Sequence, residues 1–357
     1  MSERQSERGG KPRIAVLATG GRSAETGGAE RFYVGLRDAL VDAGADASIH
    51  WEISDESSYQ AILASYLRFY DCDLSQYDGV ISTKAPGYVI RHRNHICYLQ
   101  HTMRVFYDMF EEEFKAPDAD LLAQRRMIQT LDTAAFRAPR TRKVFAIGEE
   151  VRLRLERYND VSAEVLHQGS AMRGFYCAGA RYFFLPGRLH RWKRVNLAIE
   201  AMRHIEDPVE LLISGVGEDE DTFRALARGD RRIRFLGRLS DQDLLRTYAN
   251  ALAVLFVPLR EDFGLVTQEA FLSGKPVVTC TDSGEPSRIV RDGVTGYVVP
   301  PDPKLIASAM AKLARQPNHA KAMGRQARLD IDDASWSKVS GALMAALGFA
   351  PPTATTA

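Results

Sequence analysis

The sequence predicts an α/β protein with two doubly wound parallel-sheet domains, and three observations carry that prediction. The 357 residues are 45% hydrophobic and 26% charged, ordinary globular usage in a chain long enough for about two domains. Short apolar runs rich in β-branched and aromatic residues alternate with longer helix-like segments, the pattern of β-α-β units. The alternation occurs twice, and the two sets are separated by an irregular stretch, 169–180, punctuated by Gly169, Gly174 and Gly179.

Taken in chain order, strands are expected in the first set at 14–19, 47–51, 79–83, 96–100, 143–147 and 163–167. In the second they are expected at 182–186, 210–214, 233–236, 253–257, 276–280 and 296–299. The first domain then covers 1–170 and the second 171–334, with a Pro/Thr/Ala-rich tail over 348–357 expected to fray. Two such sheets with their carboxyl ends around a shared cleft would hold a ligand there.

Charge and composition narrow the partners. Lys plus Arg is 47 and Asp plus Glu is 46, a net charge of +1, which gives no electrostatic reason to expect nucleic acid. Met1-Ser2-Glu3-Arg4 is charged and does not read as a secretory signal, and the apolar stretch 251–259 is broken by Pro258 and too short to span a bilayer. Cys72, Cys97, Cys177 and Cys280 are scattered, as suits a reducing cytoplasm. Arg137, Arg140, Arg142 and Lys143 form a basic run that could meet an anionic lipid surface; solvated loop charge is the plainer reading.

The chemistry concentrates in Pro258-Leu-Arg-Glu261-Asp-Phe263-Gly264-Leu265-Val-Thr-Gln-Glu269-Ala-Phe-Leu-Ser-Gly274-Lys-Pro276. The pattern predicts a strand, a turn at Gly264 and a short helix from about Leu265 to Gly274. Such a turn offers free backbone N–H groups and a positive helix end to a phosphate. Glu261 falls on the turn, and Glu269, one helical turn further on, leans back toward it. Two carboxylates beside an anion site make sense as acceptors for hydroxyls, such as those of a sugar.

The Glu-x7-Glu spacing, with Asp262-Phe263-Gly264 and Ser273-Gly274-Lys275-Pro276, resembles the signature of retaining GT-B glycosyltransferases of family 4. Gly187-Arg188 and Lys193 resemble that family's donor-phosphate element, Gly215-Val-Gly217 its strand-to-glycine turn and Arg234-Phe-Leu-Gly237 its nucleobase-side loop. Asp282-Ser-Gly284 and Asp292-Gly-Val-Thr-Gly296 follow in the family's order. Arg194 stands where a glycine often follows the lysine. Ser335-Trp336 resembles the start of a terminal helix, 335–347, that returns to the first domain.

The resemblance implies two Rossmann-like domains facing a cleft and transfer of a sugar, with retention, from a nucleoside diphosphate to a glycan, lipid-linked or small-molecule acceptor. It implies a cytoplasmic setting at the inner face of a membrane, with peripheral membrane contact. No cofactor is expected beyond the sugar nucleotide. Arg188 and Lys193 would neutralise the departing diphosphate, Glu261 would hold donor-sugar hydroxyls and Glu269 the ribose. Backbone around Phe263, Gly264 and Leu265, and at Gly187, Gly215 and Gly237, would border the donor.

In the first half, Gly20-Gly21 and Thr26-Gly27-Gly28-Ala29-Glu30 follow a strand, and Gly27 and Gly28 resemble the family's first-domain loop near the phosphate. His101, expected to open a helix as His101-Thr102-Met103-Arg104, resembles the His-Thr-Pro-x-Arg segment of some mannosyltransferases, with Met103 in place of proline. It is a candidate beside the donor sugar and leans the donor toward GDP-mannose. Asp71-Cys72-Asp73 reads as surface acids and Asp219-Glu220-Asp221 as an acidic helix start, so no metal site is expected. Alternative readings are a sugar-nucleotide epimerase, a phosphorylase, or a catalytically silent sugar-nucleotide-binding subunit.

Overall fold

Each expected apolar run becomes a strand in the computed structural model, which describes residues 10–20, 28–331 and 335–349. The strands are β1 (Arg13–Thr19), β2 (Asp46–Glu52), β3 (Gly79–Lys84), β4 (His95–His101), β5 (Val144–Ala146), β6 (Glu164–Val165), β7 (Tyr182–Pro186), β8 (Leu211–Ser214), β9 (Ile233–Gly237), β10 (Ala251–Leu255), β11 (Val277–Cys280) and β12 (Gly296–Val299). They form two six-stranded sheets, ordered β2-β1-β3-β4-β5-β6 and β12-β11-β10-β7-β8-β9, whose pairings are parallel.

Buried parallel strands need apolar residues on both faces, and consecutive residues supply them. In β7, Phe183 packs with the helices Val195–Met202 and Pro303–Arg315, while Phe184 turns to the opposite face, with Tyr248, Phe256 and Phe271. The second sheet is therefore covered on both sides.

The chain divides into two units. One comprises Met1–Ala171 with Ala334–Ala357, and the other Met172–Asp333. Within the first, Ser335 caps the helix Trp336–Ala346 by accepting the Lys338 N–H at 3.2 Å. Trp336 packs edge-on to Phe32 and against Gly35, where an added Cβ would lie 2.8 Å from the indole.

In each sheet the order reverses once. The second has the 3-2-1-4-5-6 order, with its switch point between β7 and β10, where open α/β sheets hold ligands. The first reverses between β1 and β3.

One local expectation is corrected. His101 does not open a helix: it is the last residue of β4, followed by a 3-10 turn at Arg104–Phe106. The Ala85 N–H donates to the His101 carbonyl at 3.4 Å, and Lys84 pairs with His101 in register, so the strand extends through the histidine.

The first unit buries a carboxyl group completely. Asp132 accepts hydrogen bonds from the Tyr66 hydroxyl at 2.6 Å and the Tyr107 hydroxyl at 2.7 Å. Burial outweighs these bonds and raises its pKa to about 6 from 3.8. A carboxyl raised in the folded state adds stability below its unfolded pKa and loses it as pH rises through the folded value. Between pH 4 and 6 the wild type should therefore lose about 2 kcal/mol relative to Asp132→Asn. Denaturant unfolding of both across that range checks this; parallel curves would refute it.

Candidate functional site

The loops at the β7/β10 switch point carry the charged residues singled out in the sequence. β7 ends at Pro186, and Gly187 turns the chain with φ +143° into Arg188. A 3-10 turn, Arg191–Lys193, follows. After β10, the chain runs to Glu261, whose N–H donates to the Ser283 carbonyl at 2.9 Å and whose carbonyl accepts the Glu285 N–H at 2.9 Å. These bonds tie Glu261 to the loop after β11.

The two loops meet through side chains. Lys193 Nζ donates to Glu261 Oε2 at 2.5 Å and lies 5.6 Å from the centre of the Phe256 ring. With side chains 28% and 19% exposed, this pair is shielded enough for its charge to matter. Arg188 instead pairs with Glu218 from the loop after β8; at 67% and 55% exposure, that pair adds little to stability. The Glu218 carboxyl is held below the usual carboxylate range, first by its own backbone N–H and then by Arg188.

Gly264 adopts φ +76° and caps the helix Leu265–Leu272. A Cβ there would meet Phe256 at 2.6 Å and Pro286 at 2.9 Å, so only glycine fits. Asp262 and Phe263 are buried, while Leu265 is the first helical residue. Glu269, one turn on, accepts a hydrogen bond from the Tyr248 hydroxyl at 2.7 Å. Tyr248 is buried edge-on against Phe184, so its hydroxyl is a fixed donor orienting the carboxylate. Nothing in the sequence pattern pointed to this tyrosine.

Gly187, Gly215 and Gly237 line up at the carboxyl ends of adjacent strands. The Gly187 N–H donates to the Ser214 carbonyl at 3.0 Å and the Gly215 N–H to the Gly237 carbonyl at 2.8 Å. A Cβ at Gly215 would fall 1.9 Å from the Gly187 carbonyl oxygen, and one at Gly217 2.3 Å from that of Leu189. The loops after β7 and β8 thus touch backbone to backbone. Asp219, read as an acidic helix start, also accepts the Arg191 N–H at 2.6 Å and holds the same loop.

Arg194 explains its own departure from glycine. It has φ +50°, a conformation glycine adopts without strain, yet its guanidinium makes four hydrogen bonds. It donates to the Val257 and Pro258 carbonyls, both at 2.8 Å, and to the two Asp282 oxygens at 2.7 and 2.6 Å. One side chain thus fastens the loops after β7, β10 and β11, offsetting its backbone strain.

The second unit gathers Arg188, Lys193, Glu261, Phe263, Gly264, Leu265, Glu269, Gly187, Gly215 and Gly237. His101 and Gly28 belong to the first: Gly28 begins the helix Gly28–Asp42, and His101 Nδ1 is 2.9 Å from the Thr102 carbonyl. Gly27 lies outside the described residues. In the basic run, Lys143 pairs with Glu164 at 2.6 Å, Arg137 with Asp160 at 3.4 Å, and Arg140 stacks over Tyr70. Asp71 pairs with Arg91 at 3.3 Å and Asp73 accepts the Ser75 N–H at 2.9 Å.

Residues 178–330 match the family described as glycosyl transferases group 1. This group 1 region holds β7 to β12 and the loops just described.

Among curated relatives, the D-rhamnosyltransferase WbpZ of Pseudomonas aeruginosa is 33% identical over 152 residues, 42% of this chain and 40% of that protein. The phosphatidyl-myo-inositol mannosyltransferase of Mycobacterium leprae is 32% identical over 164 residues, 44% of this chain and 43% of that protein. Mouse alpha-1,3/1,6-mannosyltransferase ALG2 is 28% identical over 166 residues, covering 41% and 40%. The matches thus span about two fifths of each relative's length.

Likeness to solved structures extends beyond the group 1 region. Sucrose-phosphate synthase from Thermosynechococcus elongatus superposes with a TM-score of 0.73 at 18% identity, over 92% of this chain and 96% of that one. WaaG, a glycosyltransferase involved in lipopolysaccharide biosynthesis, gives 0.73 at 16% identity, over 92% and 99%. The chain has the GT-B fold. No helix among the described residues is long and apolar enough to cross a membrane.

Proposed function

We propose that the protein transfers a sugar from a nucleoside diphosphate to a glycan, lipid-linked or small-molecule acceptor in glycoconjugate biosynthesis, as a retaining, metal-independent enzyme of family 4. The observation that carries this reading is the Lys193–Glu261 pair at the β7/β10 switch point, inside the group 1 region. Lys193 and Arg188 would stabilise charge as it develops on the leaving diphosphate, in place of a divalent ion. Glu261 would accept hydrogen bonds from the donor sugar, and Glu269, aimed by Tyr248, from the ribose.

Retention is the expected outcome because both carboxylates are committed to donor hydroxyls, whereas simple inversion needs a base that takes the acceptor proton opposite the leaving group. The departing phosphate, supported by Arg188 and Lys193, would receive that proton instead. The basic run around Arg140 is the candidate for peripheral membrane contact, and a cytoplasmic setting follows from this reading.

The test begins with a thermal-shift screen of sugar nucleotides in the presence of chelator. GDP-mannose comes first, since His101-Thr102-Met103-Arg104 leans that way and two of the relatives above are named mannosyltransferases. A ligand at 100 times its Kd adds about 2.7 kcal/mol. Proton NMR of fresh product from the stabilising donor then reads the anomeric configuration. An inverted linkage would overturn the retaining mechanism, and turnover abolished by chelator and restored by manganese would overturn metal independence.

Glu269→Gln should weaken the donor and the free nucleoside diphosphate alike, by about 1.5–3 kcal/mol, because both contain the ribose. Calorimetry with the diphosphate checks this, and unchanged affinity would exclude ribose contact.

A further inference from the structure

A second group of chemically capable side chains lies wholly within the first unit. β2 is an edge strand, and its two-residue period puts His50 and Glu52 on one face, while Trp51 packs edge-on to Tyr33. Cys72 follows the helix Tyr59–Asp71, its N–H bonded to the Phe69 carbonyl at 3.2 Å. The ligand atoms of His50, Glu52 and Cys72 all lie within 4.8 Å of one another, and the three side chains are half-buried.

We propose that His50, Glu52 and Cys72 bind a thiophilic divalent cation of the zinc type. Imidazole nitrogen, carboxylate oxygen and thiolate sulfur form the mixed donor set zinc takes, whereas magnesium and calcium select oxygen alone. Cys72 Sγ is 3.4 Å from His50 Nε2, against a sulfur–nitrogen edge of about 3.5 Å in a tetrahedral zinc site. Glu52 Oε1 accepts the Ile53 N–H at 2.9 Å, and the His50 ring stands edge-on to Tyr77, so two of the three ligands are already oriented. The acids flanking Cys72 are engaged elsewhere, Asp71 with Arg91 and Asp73 with Ser75. Three protein ligands leave a fourth position for water. On binding, the Cys72 thiol releases its proton to solvent and its sulfur donates to the metal; nothing is oxidised or reduced. A bound ion would join the end of β2 to the segment after the helix Tyr59–Asp71.

The probe is cobalt(II), added to the full chain after metal is stripped with a chelator. One equivalent per chain should produce a thiolate-to-cobalt charge-transfer band, and one equivalent of zinc should abolish it. Cys72→Ser and His50→Gln should lose the band, and Glu52→Gln should bind cobalt about tenfold more weakly or worse. Cys177→Ser, which removes the exposed thiol, should keep it. Zinc should also slow alkylation of Cys72 in the wild type while leaving Cys177 unaffected, a measurement that needs no variant. No band in the wild type, a band surviving Cys72→Ser, or equal Cys72 alkylation with and without zinc would overturn the proposal.

Discussion

Lys193→Ala should lower kcat by about 10²–10³-fold while changing donor KM much less. Charge on the leaving diphosphate grows toward the transition state, so a fixed cation contributes most there; removing one such stabilising group from a shielded site costs about that much. The Lys193 ammonium contacts Glu261 at 2.5 Å and is mostly shielded, whereas Arg188 lies exposed on Glu218. Arg188→Ala should therefore shift turnover in the same direction by a smaller factor. Because Lys193→Ala also leaves Glu261 without its partner, denaturant unfolding must accompany the kinetics. A Lys193→Ala protein of near wild-type stability that raises KM alone would remove lysine from the leaving-group role.

The parts of this molecule legible in its sequence are those whose physics is local. Strands buried on both faces are continuous apolar runs, so Phe183-Phe184 reads directly as the centre of a sheet. Glycines in crowded turns leave the same kind of trace: a Cβ at Gly215 or Gly217 would meet backbone, and one at Gly264 would meet the Phe256 and Pro286 side chains. Side-chain pairings formed across the fold leave none. Tyr248 orients Glu269 from a helix that reads only as amphipathic, and Arg194 looks like a lost glycine until its four hydrogen bonds are visible. The sequence places a helix start at His101, directly after the apolar run 96–100, whereas pairing with Lys84 of β3 carries the strand through it. His50 and Cys72 are 22 residues apart, a spacing no short metal motif covers.

Gly215→Ala should be among the most destabilising single substitutions in the second unit, at about 3 kcal/mol or more, and should abolish donor binding with it. Two costs combine. At φ +116° an alanine is strained by about 1 kcal/mol or more whatever the space around it. Its Cβ would also lie 1.9 Å from the Gly187 carbonyl oxygen, a backbone atom with no rotamer by which to yield. Relief requires the loops after β7 and β8 to part, breaking the bonds from the Gly187 N–H to Ser214 and from the Leu189 N–H to Val216, each 3.0 Å. Those same loops carry Arg188 and Glu218, so the damage reaches the charged groups directly. Gly229→Ala separates the two costs, because Gly229 has φ +97° with nothing within 4 Å of an added Cβ. It should lose only the strain energy and keep donor binding. Denaturant midpoints for both variants decide the matter: equal losses would mean that backbone conformation alone, and not the contact with Gly187, makes glycine necessary at 215.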